Sequence, residues 1–205
     1  MSGMSLEVEE LCDTARWCYT RGWVPATSGN FSVRMAANLI FITGSGLDKG
    51  RLTPEGLLQI DLDGKVLSGD GKPSAETALH LVIYRDRPEV RAILHVHTIW
   101  NTLLSARRAG RGFVLLTNYE LLKALSGVKT HEHKEQVPIL ENSQDYTSLS
   151  QALEKTLAEY PSAHGVLLSG HGFYTWGTSV TDARRHLEAL EFLFEVEERR
   201  LSEGR

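Results

Sequence analysis

Cysteine is nearly absent from this chain: only Cys12 and Cys18 occur in 205 residues, six positions apart. That spacing, in a segment with helical periodicity, suits neither a disulfide nor a zinc knuckle, and it excludes a disulfide-stapled scaffold. The two thiols read as small buried apolar groups in a reducing compartment. An excess of positive charge is also missing. The formal net charge is −4, which argues against nucleic acid or an anionic membrane as partner. No apolar run approaches the roughly 20 residues that span a bilayer. The opening MSGMSLEVEE lacks the basic and apolar segments of a secretory signal, so a cytoplasmic location is expected. The sequence has no G-x-G-x-x-G or Walker loop, hence no indicated nucleotide site. It has no repeat, linker or low-complexity tract to mark a boundary, and one domain over residues 1–205 is expected.

What is present alternates between two periods. Residues 6–20 carry Leu11, Cys12, Ala15, Cys18 and Tyr19 on one helical side, with Gly22 closing the segment. Phe31–Arg34 and Leu39–Thr43 read as a hairpin, and Thr53-Pro54-Glu55 as a helix start. Short strands at 57–61 and 65–67 flank a turn at Leu62-Asp63-Gly64. Ser74 opens a helix with Ala75, Ala78, Leu79, Val82 and Ile83 inward, ended by Pro88. A strand over 92–97 follows, then helices over 98–109 and 118–125 with an extended stretch at 113–116 between them. Strands at 137–140, 166–168 and 173–176, a helix stopped by Pro161, and a last helix from Ser179 or Thr181 complete the pattern. The packing this predicts is α/β, with helices on both faces of a sheet that is at least partly antiparallel.

The strongest chemical signal is His95-Val96-His97. Alternate residues of a strand share a face, so both imidazoles point one way, from α-carbons roughly 6.5–7 Å apart. Such a pair can converge on one cation or simply be two hydrogen-bonded core histidines. His171 lies between Gly170 and Gly172, where small neighbours let backbone and ring approach a metal. Three neutral nitrogens with an open fourth position describe a catalytic rather than structural metal site. His80, His131, His133, His164 and His186 show no comparable pattern.

Three loops are rich in small donors: Thr27-Ser28-Gly29-Asn30, Thr43-Gly44-Ser45-Gly46, and Pro73-Ser74 at a helix start. Hydroxyls, an amide and glycine-exposed N–H groups suit an anion, and each loop alone is equally an ordinary turn or cap. Lys72 would add charge.

Together these pieces resemble the class II aldolase/adducin family. The likeness rests on Ser28-Gly29-Asn30, Thr43-Gly44, Ser74-Ala75-Glu76, His95-Val96-His97 and Leu168-Ser169-Gly170-His171-Gly172, in the family's order and spacing. It implies a three-layer α/β/α sandwich around a mainly antiparallel sheet. It implies one Zn2+ per subunit on His95, His97 and His171, and a small phosphorylated ketose whose phosphate lies at Ser28, Gly29, Asn30, Thr43, Gly44 and Ser74. A homotetramer with sites between subunits is also implied. The stretches 117–125, 131–142 and 172–177 match a branch that dehydrates a methylthio-substituted ketose phosphate in methionine salvage. One departure is Ala75, where the aldolase branch carries a second serine, so one phosphate hydroxyl is missing.

A dehydratase needs an acid/base whose pKa is raised towards neutrality. Family position favours Glu120, and Glu76, at the aldolase base position, is the rival. Aldol cleavage or epimerisation of a sugar phosphate, and a metal-free interaction module like adducin, are the alternatives. Trp100, Phe113, Tyr119 and Phe173 are candidates to line a methylthio pocket.

Overall fold

The structure, a computed structural model, describes residues 2–203. Helix α1 (Ser2–Thr20) leads into the hairpin β1 (Asn30–Ala36) and β2 (Leu39–Thr43). Strands β3 (Leu57–Ile60) and β4 (Val66–Ser68) extend it. Then come α2 (Thr77–Asp86), β5 (Ala92–Val96), α3 (Ile99–Arg108) and β6 (Phe113–Thr117). Strand β7 (Lys134–Leu140), α4 (Tyr146–Glu159), β8 (Gly165–Leu168), β9 (Gly172–Gly177) and α5 (Val180–Glu203) complete the chain. The strands form one nine-stranded sheet in the order β4-β3-β2-β1-β5-β9-β8-β7-β6. Only β7 and β8 run parallel; every other neighbouring pair is antiparallel. This is the expected three-layer α/β/α sandwich.

Alternation along the strands builds a core on each face. On one, Leu94 and Val96 pack with Leu11, Cys12 and Cys18 of α1 and Leu190 and Phe194 of α5. On the other, Ile93 packs with Leu79 and Ile83 of α2 and Leu149 and Leu153 of α4. Leu94 is fully buried, and truncating such a side chain to Ala costs about 2–5 kcal/mol. Both cysteines are buried and free. The helix starts are chemically marked. Thr98 accepts from Asn101 N–H and the Asn101 side chain returns the bond at α3, and Asp145 caps Thr147 and Ser148 at α4.

Four local expectations differ. Thr53-Pro54-Glu55 makes a single 3-10 turn, Pro54–Gly56, and Thr53 gives no side-chain cap. The segment expected to be helical over 118–125 is a short 3-10 stretch, Glu120–Ala124. Asn118 has φ 63, a left-handed value incompatible with starting an α-helix there. Helix α2 begins at Thr77, and Ala75 is exposed, because residues 74–76 form a turn that turns Glu76 inward instead. Tyr19, expected on the buried side of α1, is half exposed.

Candidate metal centre

Three adjacent central strands set the site. Asn30 of β1 pairs across from His95 of β5, and His95 across from Tyr174 of β9. The His95 ring lies flat on Tyr174, 3.9 Å between centroids. His97 follows the strand end, its N–H donating to Trp23 O at 2.9 Å. His171 sits in the turn between β8 and β9, where Gly170 takes φ +64 and His171 N–H donates to Leu168 O. Glu76 enters from just ahead of α2.

Glu76, His95, His97 and His171 each offer a ligand atom, and these atoms all lie within 4.8 Å of one another. His97 Nε2 faces His95 Nε2 at 2.8 Å. His171 Nε2 lies 3.0 Å and His95 Nε2 3.6 Å from Glu76 Oε1. Hydrogen-bond partners assign the tautomers. His95 Nδ1 donates to Phe173 O at 3.1 Å, and His171 Nδ1 to Asn142 Oδ1 at 3.0 Å. Both Nε2 atoms therefore carry lone pairs beside the Glu76 carboxylate. Electron-pair donors gathered this closely repel unless a positive charge stands among them. A divalent cation supplies that charge, and the outer bonds to Phe173 and Asn142 are those that orient metal-bound imidazoles. The four residues fit a metal ion.

The electrostatics agree. Burial would raise the Glu76 carboxyl, but the nearness of the His171 and His95 rings outweighs it and holds the group well below the usual range. Burial lowers His95, partly opposed by Glu76, and burial with the charges of His95 and His171 pushes His97 down to about 3. The neutral imidazoles and the ionised carboxylate are the forms that bind metals. Asn30 Nδ2 donates to Glu76 Oε2 and Asn30 Oδ1 faces His80 Nε2, both at 2.5 Å. His80 Nδ1 in turn meets Ser32 Oγ at 2.7 Å, which meets Tyr84 OH at 2.9 Å. A buried polar chain thus runs from α2 to the metal ligands. Nothing in the sequence marks His80 or Asn142 for these roles, because their partners lie 50 and 29 positions away.

The three donor-rich loops are bonded to one another. Asn30 of the first grips Glu76 beside the third. Ser45 N–H of the second donates to Lys72 O, and Gly44 bridges to Pro73. Lys49, just beyond the second, donates from Nζ to Thr27 O of the first at 2.7 Å. Several groups named from sequence are already engaged. Gly44 N–H donates to Gly56 O, Thr43 Oγ1 accepts from Phe31 N–H, and Ser74 Oγ accepts from Glu76 N–H. Ser28 Oγ is shielded and has no partner. Gly29 is required where it stands, since a Cβ there would meet His95 O at 2.6 Å and its φ is +72. Lys72 is exposed.

Glu120 lies apart from the four donors. Its side chain is 72% exposed and pairs with Lys123, whose ammonium lowers its carboxyl rather than raising it. It lines a cleft of about 920 Å³ with Trp23, Trp100, Tyr119, Leu121 and Phe192, which none of the four donors lines. Phe173 is buried against Phe194, and Phe113 is half-buried beneath Arg111. Of the histidines without a metal-site pattern, His164 and His133 both bond Glu135, which is buried.

Residues 9–197 match the family described as Class II Aldolase and Adducin N-terminal domain, and the chain belongs to this family. It is 51% identical over 190 residues to a methylthioribulose-1-phosphate dehydratase from Methylococcus capsulatus, covering 93% of this chain and 92% of that one. A protein of the same name from Pseudomonas fluorescens is 46% identical over 198 residues, covering 95% of each. Among solved structures, L-fuculose-1-phosphate aldolase from Thermus thermophilus superposes with a TM-score of 0.78 at 25% identity, covering 98% of this chain and 99% of that chain. YgbL from Escherichia coli, described as a putative aldolase/epimerase/decarboxylase, gives 0.76 at 27% identity, over 92% and 86%.

Proposed function

We propose that this protein is a hydro-lyase of methionine salvage, converting 5-methylthioribulose 1-phosphate to 5-methylthio-2,3-dioxopentyl phosphate. The observation that carries a metal-dependent reaction is the convergence of Glu76, His95, His97 and His171 within 4.8 Å. The choice of substrate rests on the likeness to dehydratases of that name at 51% and 46% identity.

When bound, a divalent cation, zinc in this reading, supplies the positive charge that stabilises negative charge developing on the ketose oxygens. His95, His97 and His171 hold it, and Glu76 stands beside them as an auxiliary carboxylate kept in place by Asn30. The loops around Ser28, Gly29, Asn30, Thr43, Gly44 and Ser74 take the phosphate end, fixing C3 and C4 near the acid/base. Glu120 removes the C3 proton and returns it to the C4 hydroxyl, which leaves as water. The enol left behind tautomerises to the diketone, so atoms balance with the loss of one water.

Glu120 faces solvent beside an apolar cleft, with Phe192 55% exposed nearby. This supports a homotetramer in which the carboxylate is supplied to a neighbouring subunit's metal centre, where burial would raise its pKa. The reading is of a single-domain cytoplasmic enzyme; no described helix is long and apolar enough to cross a membrane.

The test is incubation of the purified, metal-loaded protein with methylthioribulose 1-phosphate. Diketone should accumulate, and exhaustive chelation should stop it. Triose or aldehyde products would make it an aldolase instead, and turnover undiminished by chelation would end the metal reading.

A further inference from the structure

Lys49 is 2% exposed, yet its ammonium has no carboxylate partner among the described residues. Its one hydrogen bond goes to a neutral acceptor, Thr27 O. An ammonium carries three donors, so two remain. Removing an unpaired charge from water costs several kcal/mol, and proteins keep such a group only where something offsets the cost. The carboxylates whose charge it feels are committed elsewhere. Glu76 is held by Asn30, His95 and His171. Asp48 spends one oxygen on Gly50 N–H and turns the other towards Arg51.

The position of Lys49 is as informative as its solitude. It follows the Thr43-Gly44-Ser45-Gly46 loop and reaches the Thr27-Ser28-Gly29-Asn30 loop, so it stands between two of the three segments rich in small donors. Ser28, next to its acceptor, holds a shielded hydroxyl with no partner. The loop that presents Thr27 O is strained: Ala26 and Thr27 take φ of 51° and 63°, costly conformations for residues bearing a Cβ. A buried ammonium with donors to spare, beside a strained loop that carries a partnerless hydroxyl, is an arrangement that an anion would complete.

We propose that Lys49 is the charged group of the phosphate pocket, pairing with the phosphomonoester dianion of the substrate while Ser28 Oγ donates to the same group. Burial lowers the ammonium to about 8, so it stays largely protonated at neutral pH, and an arriving dianion would strengthen that state. The small-residue loops supply only neutral donors, and Lys49 adds the charge that distinguishes a phosphate ester from the free sugar. This inference rests on the reading of the centre as a sugar-phosphate site.

The experiment compares wild type with Lys49→Met as metal-loaded proteins, using inorganic phosphate as probe. Calorimetry should show phosphate binding at least about 30-fold weaker in the variant, the size expected for a lost hydrogen bond to a charged group. Metal content should be unchanged. A second readout separates contact from mere support of the Thr27 loop. The ratio of kcat/KM for the phosphorylated over the unphosphorylated ketose should collapse, mostly through KM, in Lys49→Met and Lys49→Gln alike. Lys49→Gln, whose amide can still donate to Thr27 O, would instead keep the ratio if the side chain only supported the loop. If Lys49→Met does not fold, Lys49→Arg should keep phosphate affinity within a few-fold and Lys49→Gln should lose it. Unchanged phosphate affinity in Lys49→Met or Lys49→Gln, with the wild type still dehydrating its substrate, would overturn the role of Lys49 alone. A wild type that binds no phosphate and dehydrates nothing would overturn this inference together with the proposed function.

Discussion

A Cβ placed on Gly172 would lie 2.7 Å from Cε1 of the His95 ring. It would also meet Val96 O at 2.7 Å and His97 Cδ2 at 3.3 Å. The first residue of β9 must therefore be glycine for two imidazoles on the next strand to keep their aim. Gly172→Ala should lose some stability, because the Cβ pushes on the Val96 carbonyl as well as on the rings, and the folded variant should bind metal about 10–100-fold more weakly. Elemental analysis after dialysis against limiting chelator measures this, and full occupancy in the variant would contradict the steric argument.

The carboxylates Glu76 and Glu120 can be separated by the same substitution. Glu120→Gln should lower kcat by about 10²–10⁴-fold, the usual contribution of a general acid/base, with metal content intact. Glu76→Gln should loosen the metal centre, since the amide cannot serve as the anionic partner of His171. If Glu120→Gln retains turnover and Glu76→Gln is inactive with metal bound, the proton-transfer role belongs to Glu76.

His80 fills the middle of the buried chain from Tyr84 through Ser32 to Asn30. His80→Ala leaves Ser32 Oγ short of one partner and Asn30 Oδ1 without its imidazole. Each orphaned buried polar atom costs about 1–3 kcal/mol. Urea denaturation should show a loss of at least that size, and a change below about 0.5 kcal/mol would mean that the chain is not stabilising.

Glu191 on α5 offers a test in pH. It is fully enclosed, and burial, opposed by hydrogen bonds from Thr98 and Asn101, pushes its carboxyl up to about 7 from 4.5. The folded state then holds a proton that the unfolded chain releases, so stability falls as pH rises from 4.5 to 7. Glu191→Gln cannot titrate. The variant's stability relative to wild type should increase over that window, by a total of roughly 3 kcal/mol, and level off above it. A difference independent of pH would show that Glu191 ionises normally.

The helices and strands were largely legible because burial on one face imposes a period on the chain. Helices α1 and α5, and strands β1, β2, β5, β8 and β9, fall where the patterns put them. Mismatches occur where backbone chemistry overrides periodicity. Asn118 at positive φ keeps a helix from starting there and a 3-10 stretch follows, and the turn at 74–76 exposes Ala75.

By itself, the sequence determined which atoms are on offer at the centre. A strand's period of two puts His95 and His97 on one face, and glycines on both sides of His171 make room for its approach. Those are local properties, set within a few residues. Only the tertiary structure decided what surrounds them: Asn30 on Glu76, Asn142 and Phe173 behind the imidazoles, His80 beneath, and Lys49 buried against Thr27. These partners stand 22–78 positions apart. A hydrogen bond depends on distance in space, and chain separation beyond a turn or two leaves no periodic trace of it.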